Sequence, residues 1–284
     1  MWPGKFDYQR ASSVEEALQL LATNEDAKLL AGGHSLLPAM KLRLSEPAML
    51  IDIGHIQALK SISNSGGTVK IGALATHAEI AASDAVRQHC APLAHATGHV
   101  GDPQVRNFGT LGGNIAHADP ASDPPTVLVA CDATIHVQSQ VGQRSIAASD
   151  FFIDLFTTDL QPGEIITGIE VPALHGKKGA YLKLAHPASR YAVVGICVIL
   201  DMNGTTCQDA RVAIGGATAM AMRSPGAEAA LNGSQLDDSA LNAAAEAIQA
   251  DIADALMDDI SFPQDYRQAM AGVYLKRAVK AALS

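Results

Sequence analysis

Short apolar runs bounded by turn residues alternate along this chain with stretches of helical spacing, and that alternation predicts its elements. Ser13-Val14-Glu15-Glu16 reads as a capping box opening an Ala/Leu helix that reaches Thr23. Residues 27–30 read as a short buried strand. Over 35–44 the spacing is helical, with Leu36, Met40 and Leu44 on one side and Pro38 near the start, where proline is tolerated. A strand at 49–53 closes a small βαβ-like opening. A second unit starts with a strand at 68–72, followed by another capping box, Thr76-His77-Ala78-Glu79, and a helix over 85–97. Residues 134–138 and 165–171 read as strands, and 172–179, rich in Gly, Lys and His, as a linker. Beyond it come strands at 180–184, 192–200 and 210–214, then helices at 227–231, 239–250 and 264–283. Strands followed by helices predict an α+β class. No repeat of fixed period is present.

Composition narrows the function classes. The 284 residues suffice for two domains or one large one, and 48% hydrophobic residues fill a core without staples. A net charge of −9 argues against a nucleic-acid or anionic-membrane surface. The four cysteines, Cys90, Cys131, Cys197 and Cys207, are scattered with no CxxC, which argues against a zinc ribbon, a thioredoxin motif or a Cys-ligated iron–sulfur cluster. They read as buried free thiols, fitting a reducing cytoplasm. Met1-Trp2-Pro3-Gly4-Lys5 is not followed by an apolar stretch of the secretory kind. The longest apolar run, 192–200, is too short to span a bilayer, which takes about 20 residues.

Two glycine pairs carry the chemistry. One lies in Lys28-Leu29-Leu30-Ala31-Gly32-Gly33-His34-Ser35, the other in Asn107-Phe108-Gly109-Thr110-Leu111-Gly112-Gly113-Asn114. Glycine lets backbone N–H groups close on a ligand, and successive N–H groups form an anion-binding concavity. Two facing concavities suit a pyrophosphate, hence a dinucleotide. Ser35 can donate its hydroxyl or cap a helix, and His34 can donate through ring or backbone. Thr110 and Asn114 add a hydroxyl and an amide. Asp123 suits ribose hydroxyls, or equally a turn before Pro124-Pro125. Competing motifs fall short. His95 and His99 form HxxxH without the general-base Glu or a third ligand, and GxGxxG, P-loop and GxSxG patterns are absent.

AGGHSLLPAMKLR over 31–43 and TLGGNIAHADPASD over 110–123 resemble the flavoprotein (medium) subunit of molybdenum hydroxylases, the family of carbon monoxide dehydrogenase and xanthine dehydrogenase. The resemblance extends through 3–8, 102–107, Pro162-Gly163-Glu164 and the segment around Tyr191. It is nearest to the carbon monoxide dehydrogenase type, whose first loop also reads AGGHS. It implies an α+β fold with a two-lobed FAD-binding domain of the vanillyl-alcohol-oxidase/PCMH type. The lobes would be 1–53 and 54–173, followed by a small α+β C-terminal domain at 174–284.

The resemblance also implies roles. Ala31, Gly32, Gly33, His34 and Ser35 would clamp the FAD pyrophosphate together with Thr110, Gly112, Gly113 and Asn114. Asp123 would hold the adenosine side and Ile166 would lie near the flavin ring. Lys183 would sit by the ring's polar edge, and Tyr191 would cover one face. Each has a plain reading too: a solvated strand lysine, a core isoleucine, a core aromatic. The role of His117 stays open. No catalytic or metal-binding residue is expected in this chain. By the resemblance it is the FAD-carrying electron-transfer subunit of a heterotrimer. It would accept electrons from the 2Fe-2S clusters of a small subunit, beside a large molybdopterin subunit, in a cytoplasmic dimer of heterotrimers. A stand-alone FAD-dependent oxidase or dehydrogenase of the same superfamily is the alternative, and a scaffold that has lost FAD a third reading.

Overall fold

Residues 1–284 are described by a computed structural model, and three sheets divide them in chain order. The first is small and parallel, with strand order β1-β3-β2. It comprises β1 (Asp7–Arg10), β2 (Ala27–Leu30) and β3 (Met49–Asp52), with α1 (Val14–Thr23) and α2 (Leu36–Lys41) as crossovers. Val14, Ala17 and Leu18 of α1 pack on Ile51 of β3 to make its core.

The second sheet is antiparallel, in the order β4-β5-β10-β6-β7. Its first hairpin is β4 (Ile62–Ser65) and β5 (Thr68–Gly72). Six helices then follow: α3 (His77–Ala82), α4 (Asp84–His89), α5 (Ala91–Gly98), α6 (Pro103–Phe108), α7 (Leu111–His117) and α8 (Asp123–Ala130). The chain returns through β6 (Thr134–Ser139), β7 (Gly142–Ala147), α9 (Ala148–Phe151) and the short pair β8 (Phe152–Asp154) and β9 (Thr157–Thr158) to the central β10 (Ile165–Pro172).

The third sheet runs β11 (Lys178–Ala185), β12 (Ala192–Asn203), β13 (Thr206–Gly215) and β14 (Met222–Arg223), each antiparallel to the next. Helices α10 (Pro225–Leu231), α11 (Asp238–Asp251) and α12 (Gln264–Leu283) complete the fold. Every residue of β12 from Ala192 to Leu200 is buried, as expected of a strand covered on both faces. Its alternation divides two cores: Cys197 and Ile199 join the core of the second sheet and its helices, while Val194, Ile196 and Val198 join that of α10–α12.

The α+β class and the order of elements agree with the apolar pattern. The strands β1, β4, β7, β8, β9 and β14 and the helices α6–α9 are not among the elements read from the pattern, and four details of the elements that are read differ. The helix read at 35–44 ends at Lys41, because Arg43 is left-handed (φ 63°) and the N–H groups of Arg43 and Leu44 turn back to the carbonyls of Met40 and Ala39. Leu44 is consequently exposed rather than on the buried side. The helix read at 85–97 breaks at Cys90, just before Ala91-Pro92, where proline disfavours a continuing helix. At α1, Ser13 caps the helix through Glu16 N–H, but the Glu16 carboxylate turns to Ser12. The box at Thr76 and Glu79 is complete.

Candidate functional site

The first glycine pair links β2 to α2. Gly33 has φ +71° and lies tight against Leu37, so a side chain there is strained. A Cβ on Gly32 would fall 2.0 Å from the Phe108 carbonyl oxygen, so the first loop rests directly on the backbone ahead of the second. The N–H groups of Gly32, Gly33, His34 and Ser35 donate to no protein acceptor. The Ser35 hydroxyl also makes no cap bond. The His34 ring bonds the Gly32 carbonyl through Nδ1 at 3.0 Å and stacks on Phe108 at 5.5 Å between centroids.

The second pair departs from the expected concavity. Gly112 and Gly113 sit in the first turn of α7, and neither has positive φ. Their N–H groups are spent inside the protein, Gly112 on the Ala73 carbonyl (2.8 Å) and Gly113 on the Thr110 hydroxyl (3.2 Å). Helix capping accounts for this: Thr110 is the N-cap. Glycine is needed here for space instead. A Cβ on Gly112 would meet Ala73 at 2.6 Å, whereas Gly113 is exposed and faces Ala31, 3.8 Å from its would-be Cβ. The open side of Gly113 therefore borders Ala31, the residue that precedes the four unpaired N–H groups. Thr110 still has its hydroxyl proton to donate, and the Asn114 amide nitrogen donates to no protein group; its oxygen accepts from Ser122.

The remaining predicted residues divide. Ile166 lies 6% exposed in the main core, on β10, against which α7 packs. Asp123, Lys183 and Tyr191 come together at the start of α8 and the edge of the third sheet. Asp123 Oδ2 accepts from Lys183 Nζ at 2.8 Å and Oδ1 from the Tyr181 hydroxyl at 2.5 Å, with both charged side chains almost fully buried. The resemblance puts Asp123 on the adenosine side and Lys183 at the ring's polar edge; here the two side chains are in direct contact. Burial pushes the Asp123 carboxyl up, against the pull of Lys183 and Tyr181. Burial, Asp119 and Asp123 raise the Tyr191 phenol. His117 packs its ring on Phe156 at 5.2 Å.

Tyr181 escaped the reading of the sequence. It lies two residues before Lys183 on β11, and that period-2 spacing puts both on one face. His77 escaped it too. It is 2% exposed beside Gly109, its Nδ1 has no partner, and burial, Arg106 and His34 lower its pKa to about 4. His95 and His99 meet edge to face at 4.2 Å, and their Nδ1 atoms bond the carbonyls of Tyr181 and His95. No group of three His, Cys, Asp or Glu side chains is arranged to hold a metal ion. No helix is long and apolar enough to cross a membrane.

Comparison with known proteins supplies the context. The family described as the FAD binding domain in molybdopterin dehydrogenase matches residues 4–174, and the CO dehydrogenase flavoprotein C-terminal domain matches 179–282. The glyceraldehyde dehydrogenase medium chain of Sulfolobus acidocaldarius is 40% identical over 94% of this chain and 92% of its own length. The nicotine 6-hydroxylase medium subunit of Paenarthrobacter nicotinovorans is 38% identical over 96% and 95%. Among solved structures, carbon monoxide dehydrogenase from Hydrogenophaga pseudoflava superposes with a TM-score of 0.95 at 40% identity, covering 100% of this chain and 99% of that one.

Proposed function

This chain belongs to the family of FAD-binding subunits of molybdopterin dehydrogenases, and from that premise we propose that FAD lies between the two glycine loops, its pyrophosphate on the N–H groups of Gly32 to Ser35. The chain is an oxidoreductase subunit, the FAD-carrying medium subunit of a molybdenum hydroxylase of the carbon monoxide dehydrogenase type. It takes electrons from the 2Fe-2S clusters of a partner and passes them to an external acceptor. The relatives are named as medium chains and subunits of dehydrogenases and hydroxylases, which disfavours a stand-alone oxidase.

One observation carries the placement of FAD. Four consecutive backbone N–H groups lack protein acceptors, and the residue before them, Ala31, faces the bare side of Gly113. Half-buried N–H groups left without partners are costly, and an anion satisfies them. The donor set fits a pyrophosphate flanked by hydroxyls, with Ser35, Thr110 and Asn114 adding neutral donors. Bound there, FAD supplies both one- and two-electron redox chemistry. The protein's own part is to orient it: Ala31 and Gly113 set the width of the cleft, and His34 stacked on Phe108 closes one side. Asp123, Lys183 and Tyr191 form the wall we assign to the flavin-ring end, and Ile166 supports α7 from the core. We place the lobes at 1–53 and 54–173 and the C-terminal domain at 174–284.

The chemistry on the substrate belongs to a partner subunit. Relatives named for glyceraldehyde, nicotine and carbon monoxide share this chain's length and, for the last, its fold, as befits a subunit that never meets the substrate. We further propose a heterotrimer with a large molybdopterin subunit and a small 2Fe-2S subunit, paired as a dimer of heterotrimers in the cytoplasm. The four free buried thiols suit that reducing compartment.

Flavin content tests the placement. Gly113→Val puts a branched side chain into the cleft, its Cβ pressing on the Thr110 hydroxyl at 2.9 Å and facing Ala31 at 3.8 Å. It should lower FAD affinity tenfold or more, about 1.4 kcal/mol, and leave the flavin-free protein within about 1 kcal/mol of its original stability, the size of a lost cap. Full flavin content with unchanged affinity would remove the cleft from the account.

A further inference from the structure

A lysine beside a flavin invites the view that its charge acts on the ring directly. The geometry here points elsewhere. An ammonium group has three protons to donate, and Lys183 Nζ has three protein acceptors: the Arg190 carbonyl at 2.7 Å, Asp123 Oδ2 at 2.8 Å and the His99 carbonyl at 3.0 Å. No proton is left over, and the charge is balanced by a carboxylate as buried as itself.

The Arg190 carbonyl belongs to the turn that joins β11 to β12. Arg190 is left-handed (φ 63°), a region that L side chains seldom occupy. Inside the turn, His186 N–H donates to the Tyr191 carbonyl, Arg190 N–H to the His186 carbonyl, and the N–H groups of Ala188 and Ser189 face His186 Nδ1. Residues 187–191 make one hydrogen bond beyond the turn, the one from Lys183. Tyr191, next in the chain, is 46% exposed; its carbonyl accepts from His186 within the turn, and the following residue, Ala192, donates its N–H to the Ala121 carbonyl, so the turn is held at its β12 end by Ala192 and along its length by Lys183.

We propose that Lys183 is a positioning residue that clamps the 186–191 turn through the Arg190 carbonyl and so fixes the Tyr191 ring as a wall of the flavin site. This rests on the reading above that Tyr191 lines that site. Asp123 and Tyr181 are parts of the same device. Tyr181 holds one Asp123 oxygen, Asp123 holds the ammonium, and the ammonium holds the turn. The device spans α5, α8 and β11, so the turn is referenced to both sides of the boundary between the second and third sheets.

Amide hydrogen exchange of the full chain, with and without FAD, tests the clamp. Lys183→Met alone strands a buried carboxylate, so the test uses Lys183→Met with Asp123→Asn, together with Lys183→Arg. The latter keeps the charge but cannot reach three acceptors grouped around a point. In both, the amides of His186 and Arg190 should lose protection about tenfold or more, while those of β12 and β13 keep theirs. This should hold in the flavin-free chain, where FAD binding plays no part. Unchanged protection of His186 and Arg190 in Lys183→Arg would overturn the clamp, as would a flavin potential that moves in the Lys183→Met, Asp123→Asn double variant with the turn intact. Flavin fluorescence in Tyr191→Ala separates the underlying reading: unaltered emission with a loosened turn in the Lys183 variants keeps the clamp and removes Tyr191 from the flavin wall.

Discussion

His77 illustrates how much one buried side chain can set. Its ring lies at the start of α3 beside Gly109, with Nδ1 unpartnered. Burial holds its pKa near 4, against an ordinary value of 6.5, and the neighbouring Arg106 and His34 act in the same direction. Between those values the unfolded chain binds the proton and the folded one does not, so stability rises with pH there. The stabilisation is fully present above pH 6.5 and is lost as pH falls through 4, to a total of about 3 kcal/mol. Denaturant unfolding at a series of pH values checks this. His77→Phe should flatten the slope between pH 6.5 and 4, and an unchanged slope would assign the acid sensitivity elsewhere. Gly33 gives a second residue-scale expectation. At φ +71°, Gly33→Ala meets left-handed strain of about 1–2 kcal/mol and contact with Leu37, so it should lower thermal stability even without flavin.

Among the elements, Thr76 and Thr110 do the same work at neighbouring helix starts. Each caps its own helix, and the two residues pair across an isolated bridge. Thr76→Ala should cost about 1 kcal/mol in unfolding free energy, the usual value of a lost N-cap, and leave FAD affinity unchanged. Thr110→Ala should cost as much and, on the proposed placement in which its hydroxyl donates to the pyrophosphate, also weaken FAD. Titrations of the two variants side by side make the comparison, and equal FAD affinities would exclude Thr110 from the site. What the sequence made legible at this scale follows the strength of local signals. The box at Thr76 and the strand ending in Gly32-Gly33 were readable because side-chain chemistry and periodicity agreed. The stop of α2 at Arg43 was not, since a left-handed position filled by arginine leaves no glycine to mark it. The second glycine pair read as a loop because glycine is a poor helix former; the cap from Thr110 and the tight approach to Ala73 override that preference. The link from Asp123 to Lys183 joins distant parts of the chain, and only the packing of α8 on the third sheet creates it.

Across the whole molecule, the boundary between the FAD region and the C-terminal domain is a shared core and not a hinge. Tyr181, Cys197, Ile199 and Ala213 from the third sheet pack with Leu93, Val127 and Cys131 of the second region. Cys90 and Cys131 sit 3.7 Å apart there, thiol to thiol; contact with Cys131 and burial hold Cys90 well above the usual thiol pKa, contact with Cys197 and burial do the same for Cys131 against the pull of Cys90, and both are thereby unreactive. Calorimetry of the full chain should therefore give one cooperative transition, and two resolved transitions would contradict the shared core. The linker expected at 172–179 is compatible with this, since a short turn leads straight from β10 into β11.

The central claim is that one dinucleotide bridges the two glycine loops, and a crystal structure of the flavin-loaded protein tests it most directly. The account predicts the pyrophosphate on the N–H groups of Gly32 to Ser35, against the open side of Gly113, with the ring toward Tyr191. Those four N–H groups facing only solvent, with the flavin held elsewhere, would contradict it.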